Sequence, residues 1–266
     1  MKRVVRKVSK FCKQFWKYRD LLRLLVSRNI KLKYRRSVLG YAWTILNPLL
    51  IMIVMTIVFS TMFGRNISNF PVYLFCGQLL FNFMDQSTHQ SISSITGNAS
   101  LLKKTYVPKY IFTVAKITSS MVDLLLSMIA LIVVMIATKA PFSWHMLLTP
   151  LVLVQLYFFC LGLGMFLSQA NVFFRDIQYI YNAVITAWRY LSAIFYPLER
   201  LPEPIAWAII HFNPMYYYIG QFRALIYERT LPDSTSVLLG CGAAVVMMLI
   251  GVGSFMRSQD RMILHI

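Results

Sequence analysis

Apolar and polar positions along this chain fall into long blocks. The first block, residues 35–63, opens on Arg35 and Arg36 and then runs to Phe63 without a charge. At 1.5 Å rise per residue this exceeds the roughly 20 residues that cross about 30 Å of hydrocarbon. A buried helix of a globular domain is usually about half as long. Tyr41 and Trp43 stand near the charged end, where aromatic rings favour the interface. Further spans are predicted at 70–95, 111–137, 146–167, 178–196 and 237–256. Between the fifth and the last, Pro197, Pro202, Pro204 and Pro214 break residues 197–231 into two apolar pieces, 201–212 and 215–226. Each is too short to cross, which suits re-entrant or interfacial helices.

Upstream of the first span, residues 1–36 place Val4, Val8, Phe11 and Phe15 on one helical stripe. Trp16, Leu21, Leu22, Leu24 and Leu25 continue it, with lysines and arginines around them. This pattern predicts a basic amphipathic helix at a membrane surface. The inner connection 96–110, TGNASLLKKTYVPKY, has room for a short helix beginning near Asn98 or Ser100. The expected architecture is all-α: six transmembrane helices, an N-terminal amphipathic interface helix, and short re-entrant helices before the last span. It forms one domain over residues 1–266, with the interface helix at 1–36, the six-span bundle at 38–256 and a tail at 257–266.

Composition agrees. Hydrophobic residues make up 58 % of the 266 and charged residues 14 %, against soluble averages near 45–50 % and 25 %. The net charge of +18 would suggest nucleic acid were it spread over the chain. About half of the 27 Lys and Arg instead lie in residues 1–36, where Asp20 is the single acid. The other inner segments add Lys103, Lys104, Lys109, Arg175, Arg257 and Arg261, so the charge reads as the positive-inside rule, with anionic headgroups as its partner and no nucleic acid. Six spans then place both termini in the cytoplasm, with Lys103, Lys104 and Arg175 inside and Arg65, Lys139 and Glu203 outside. Cys12, Cys76, Cys160 and Cys241 lie far apart without CxxC spacing and read as small buried hydrophobes.

Catalytic signatures do not occur. The chain has no G-x-x-x-x-G-K-[ST], no H-E-x-x-H and no G-x-S-x-G, and its four histidines lack metal spacing. Charges inside the spans are more informative, because a charge in lipid is costly and faces protein or water. In the second span Asn82, Asp85, Gln86, His89 and Ser93 share one helical face; in the third, Lys116, Ser119, Ser120, Asp123 and Ser127 do the same. Asp85 and Lys116 are equidistant from the middle of the loop between them, so a hairpin predicts that they pair. Arg189 is about as far from the inner end of the fifth span as Asp123 is in the third. These groups either join helices or line a conduit. Asp85 and His89, four residues apart, could also touch as an acid/base pair of a membrane-embedded glycosyl- or acyltransferase, although no donor-binding motif accompanies them. Aromatics crowd the C-terminal region; beside an interfacial belt, they could stack on sugar rings, with Trp188, Tyr190, Tyr196 and Tyr217 as first candidates.

Four stretches, RNIKLKYRRSVLGYAWTILNPLL, FFRDIQYI, IFYPLERLPE and FNPMYYYIGQFRALIYE, resemble ABC-2 type permeases, most closely those exporting O-antigen, capsular polysaccharide and teichoic acid. The resemblance covers essentially the whole chain. It implies a bacterial plasma or inner membrane protein that forms a homodimeric channel and works with two ATP-binding cassette subunits. ATP is then bound by the partner, with no cofactor in this chain. The implied substrate is a lipid-linked glycan or polyol-phosphate polymer. It also implies that the ATPase strokes reach the channel through the N-terminal amphipathic helix and the 96–110 connection; the short apolar and basic element on that inner loop makes Leu101, Leu102, Tyr106 and Pro108 the expected contact surface. A drug or lipid permease of the same family is the nearest alternative.

Overall fold

The computed structural model describes residues 17–35, 37–63, 67–104, 107–259 and 261–264. Among them are ten α-helices and no strand: α1 Arg19–Tyr34, α2 Trp43–Phe63, α3 Phe70–Ile92, α4 Ala99–Lys104, α5 Tyr110–Ala137, α6 Thr149–Phe173, α7 Ile177–Tyr190, α8 Glu203–Phe212, α9 Pro214–Arg223 and α10 Ser234–Ser258. The stripe expected at Val4, Val8, Phe11, Phe15 and Trp16 lies outside the described residues, as do Arg65 and Tyr106.

Four segments are both long and apolar enough to cross a membrane: Gly40–Ser60, Tyr110–Ala137, Trp144–Phe173 and Ser234–Ser258. They correspond to the first, third, fourth and last expected spans. The exposed faces of α2 (Leu50, Ile53, Val54, Ile57) and α10 (Leu238, Val245, Val246, Leu249) are aliphatic, as contact with lipid requires. Helix α3, the second expected span, has 23 residues and is the centre of the molecule, with α2, α5, α6, α7 and α9 packed around it. Phe75, Leu79, Leu80, Phe81 and Met84 are almost fully buried. Because neighbouring helices shield it, α3 can carry Asn82, Asp85 and Gln86 without presenting them to lipid.

Helix α7 departs from expectation. The fifth span was expected to reach residue 196, yet the helix stops at Tyr190 after 14 residues, about 21 Å. Distant side chains take the backbone there. Asn213 Nδ2 donates to the Leu191 carbonyl (2.8 Å) and to Ser192 Oγ (3.1 Å). Arg223 donates to the carbonyls of Ala193 (3.0 Å) and Ile194 (2.9 Å). Ala193 itself turns through φ +48°. These partners satisfy the carbonyls of the irregular segment that follows the helix.

Helices α8 and α9, ten residues each, match the two short apolar pieces. Asn213 Oδ1 accepts from Met215 N (3.0 Å) and Pro214 follows at the first turn, a helix start built from the cap and proline preferences. Beyond Arg223 the helix widens to a π turn over Ala224–Glu228.

Two crossings hold the long helices. Gly162 of α6 meets Gly251 of α10 so closely that a Cβ on Gly251 would lie 2.0 Å from the Gly162 carbonyl oxygen. Backbones approach this way only where both residues are small. In α2, Pro48 has no N–H to give the carbonyl four residues back, at Thr44. Ser127 Oγ of α5 stands 3.1 Å from that carbonyl and 2.8 Å from the Asp123 carbonyl of its own helix, so its one proton is shared between them and joins α2 to α5.

Candidate functional site

The depth of the charged residues follows from one contact. Ser94 Oγ and Thr113 Oγ1 are 2.9 Å apart at the base of the α3–α5 hairpin. Nine residues back from Ser94 is Asp85; nine residues on from Thr113 is Val122, beside Asp123. Two antiparallel helices of equal rise therefore bring the two carboxylates, not Asp85 and Lys116, to one level. The expected Asp85–Lys116 pair is not formed. Equal spacing from the loop centre misjudged the register, because α3 ends early and the turn, α4 and the following loop occupy the connection unevenly.

Each carboxylate instead finds a cation on a third helix. Arg189 Nη2 of α7 lies 2.5 Å from Asp85 Oδ2, and its Nη1 donates to Asn82 Oδ1 (3.0 Å). The guanidinium also stands 5.0 Å from the Phe81 ring centre, within cation–π range. Lys33 Nζ at the end of α1 lies 2.7 Å from Asp123 Oδ2, and Asn29 one turn earlier reaches Ser119 Oγ (3.3 Å). Helix α1 thus packs Leu21, Leu22 and Leu25 into the core and adds a polar seam along α5, while Leu24 stays 69 % exposed. Among the described residues Lys116 has no carboxylate within 4.0 Å.

These ion pairs stand in a cleft of about 690 Å³ between α2, α3 and α5, with Lys33 and Arg189 in its lining. Its polar lining includes Asn47 of α2, Asn82, Asp85, Gln86, His89 and Gln90 of α3, and Ser120, Asp123 and Ser127 of α5. Trp43, Pro48, Phe83 and Leu124 supply apolar wall. The polar faces expected for the second and third spans therefore meet across one space, with Ser93, Lys116 and Ser119 outside its lining.

Helix α7 is fixed against α3 by Thr88 Oγ1 and Tyr181 OH, 2.6 Å apart in the core. At its far end, Arg223 donates to three carbonyls, including that of Tyr73, and lies 3.6 Å from the Tyr73 ring centre. Only 8 % of Arg223 is exposed. Sequence reasoning missed Arg223, Lys33 and Asn213: the first sat in a short apolar piece read as a re-entrant or interfacial helix, the second in a run of surface cations, and the third showed only as a residue before proline.

The four aromatic candidates separate. Trp188 Nε1 donates to Asn213 Oδ1 (2.8 Å) and its ring meets Phe159 edge-on. Tyr196 OH donates to the Tyr190 carbonyl, and the Tyr190 ring is 58 % exposed. Tyr217 OH donates to the Ile210 carbonyl at the α8–α9 joint. None of the four is among the cleft-lining residues. Leu101 and Leu102 of α4 are half-buried against the core, Pro108 is half-buried, and Arg28 of α1 donates to Asn98 Oδ1 (3.2 Å) beside them. Among the described residues no group of His, Cys, Asp and Glu is arranged to hold a metal.

Relatives of the chain are transport permeases. It is 32 % identical to the O-antigen export system permease protein RfbA of Myxococcus xanthus over 93 % of this chain and 95 % of that one. It is 26 % identical to the RfbA protein of Klebsiella pneumoniae, over 91 % and 93 %. The polysialic acid transport protein KpsM of Escherichia coli is 19 % identical over 90 % and 93 %. The family model of the ABC-2 type transporter matches residues 20–227, which take in α1, the ion-paired cleft, α7 and the Arg223 clamp. The chain belongs to the ABC-2 type transporter family.

Proposed function

We propose that this chain is the transmembrane permease subunit of an ABC exporter that carries a lipid-linked polysaccharide across the membrane. One observation carries the reading most: an open cleft of about 690 Å³ between apolar helices, with ion pairs and neutral amides in its wall. It lies in a chain whose relatives, over nine tenths of its length, are named as glycan exporters. Polar groups among lipid-facing helices persist where water or a hydrophilic solute needs them. With no P-loop in the sequence, the energy comes from a separate ATPase subunit.

In this reading α3, and α7 extended by residues 191–196, complete the set of six spans, with both termini cytoplasmic. Helices α8 and α9 dip into the outer leaflet without crossing. Two copies enclose the polymer path, and two ATPase subunits bind below. The α4 connection, with Leu101, Leu102, Tyr106 and Pro108, receives their stroke, and its bond to α1 through Arg28 passes the motion on. Tyr190, exposed beside Tyr196, stacks on the moving sugar chain.

Gene deletion tests the reading. Loss of a surface glycan, with its lipid-linked precursor retained inside, is the expected outcome, as is recovery of an ATPase with the affinity-purified chain. An unchanged surface glycan together with a chain that purifies without any ATPase would overturn it.

A further inference from the structure

We propose that the α2–α3–α5 cleft receives uncharged sugar units and disfavours polyanionic ones such as sialic acid or polyol phosphate. This rests on the exporter reading above and narrows its substrate class. The argument turns on which lining groups are already committed. Among the described residues both lining cations are engaged with carboxylates, Arg189 with Asp85 at 2.5 Å and Lys33 with Asp123 at 2.7 Å, so these four formal charges cancel within the wall. The lining groups without a hydrogen-bond partner among the described residues are neutral amides and an imidazole: Asn47, Gln86, Gln90 and His89. Ser120 adds a buried hydroxyl with no partner.

Unpartnered polar groups inside a membrane bundle are costly unless a solute or water answers them. Amides offer a donor and an acceptor side by side, which suits hydroxyls that both give and accept. The Trp43 indole, 43 % exposed at the wall, supplies the flat apolar face that a pyranose ring can cover. A polyanion meets the opposite situation. To be neutralised by Arg189 it must draw that guanidinium from Asp85, leaving the carboxylate facing a second negative charge. The volume falls within the roughly 300–1,000 Å³ of small-molecule sites, room for a short run of rings.

The test uses the full chain with its ATPase in lipid nanodiscs and two probes of matched length, mannotetraose and a sialic acid tetramer. Saturation-transfer NMR at low salt should give mannotetraose binding at least about tenfold tighter than the tetramer. Asn47→Ala and Gln86→Ala remove no intrachain hydrogen bond, so both should fold normally and weaken mannotetraose several-fold. Asp85→Asn releases the Arg189 guanidinium from its carboxylate and should raise sialic acid affinity about tenfold or more. Equal or tighter binding of the tetramer to the native chain would overturn the charge argument while leaving a glycan exporter. Mannotetraose binding unaffected by Asn47→Ala and Gln86→Ala, or absent altogether, would remove the cleft as the sugar site; the deletion experiment above decides the exporter reading independently.

Discussion

At the scale of single residues, the deciding fact is that a charge within the bundle takes its partner from wherever the packing supplies one. Asp85 is answered by Arg189, 104 positions away, and Asp123 by Lys33, 90 positions away. Removing one member of a shielded pair is more damaging than replacing both, because the remaining charge has lost its compensation. Arg189→Met should therefore lower thermal stability more than Arg189→Met combined with Asp85→Leu. Asp85 and Arg189 are 28 % and 30 % exposed, so the coupling should be modest, about 1 kcal/mol in a double-mutant cycle. The same cycle on Asp85 and Lys116 should give additive losses. Coupling between Asp85 and Lys116 as large as that between Asp85 and Arg189 would contradict the register derived from Ser94 and Thr113. The Arg223 clamp obeys the same logic with different chemistry. Its planar fork reaches three carbonyls at once and covers the Tyr73 ring, which a lysine's point charge cannot do.

Among elements, close approach of α6 and α10 is the strongest constraint. Gly162 and Gly251 were two of eleven glycines in the sequence, with nothing local to distinguish them. Their spatial setting does: a Cβ on Gly162 would meet the Met247 carbonyl oxygen at 2.3 Å, whereas Gly242 and Gly253 on the same helix have nothing within 4 Å. Gly162→Ala or Gly251→Ala should push the helices apart, cost about 1–3 kcal/mol and reduce folded yield. Gly242→Ala and Gly253→Ala should be neutral or gain up to about 1 kcal/mol from helix propensity. Size-exclusion yield and melting temperature in detergent separate the two groups. Equal behaviour of all four would mean that the crossing is looser than the structure has it.

For the whole molecule, sidedness is what the charge pattern governs and the helix packing must obey. Lys103 and Lys104 end α4, next to the connection that α1 touches through Arg28, while Lys139 follows the far end of α5, a helix of 28 residues, or about 42 Å. In the proposed topology the two sites lie on opposite faces of the membrane. In a background without native cysteines, an impermeant maleimide added to intact cells should label Lys139→Cys and spare Lys104→Cys until the cells are opened. Labelling of position 104 from outside would reverse the orientation argued from the basic residues.

The linear order of residues was enough to determine the class of molecule, the places of the long apolar helices, the two short pieces before the last span, and the two polar faces that meet in the cleft. Length and period carry that information, because a lipid-facing helix needs about 20 apolar residues and a shielded polar group needs one helical side. Relative rotation, register and partner choice were decided only in three dimensions. The hairpin between α3 and α5 could be counted from its loop, but Ser94 and Thr113 set its true offset. The end of α7 could not be read from residues 178–196, since Asn213 and Arg223 interrupt it from a later part of the chain. Lys33 looked like one more surface cation until α5 brought Asp123 beside it. Hydrophobicity fixes which helices form and roughly how deep they sit; hydrogen bonds and ion pairs, short in range and indifferent to sequence separation, fix which faces meet.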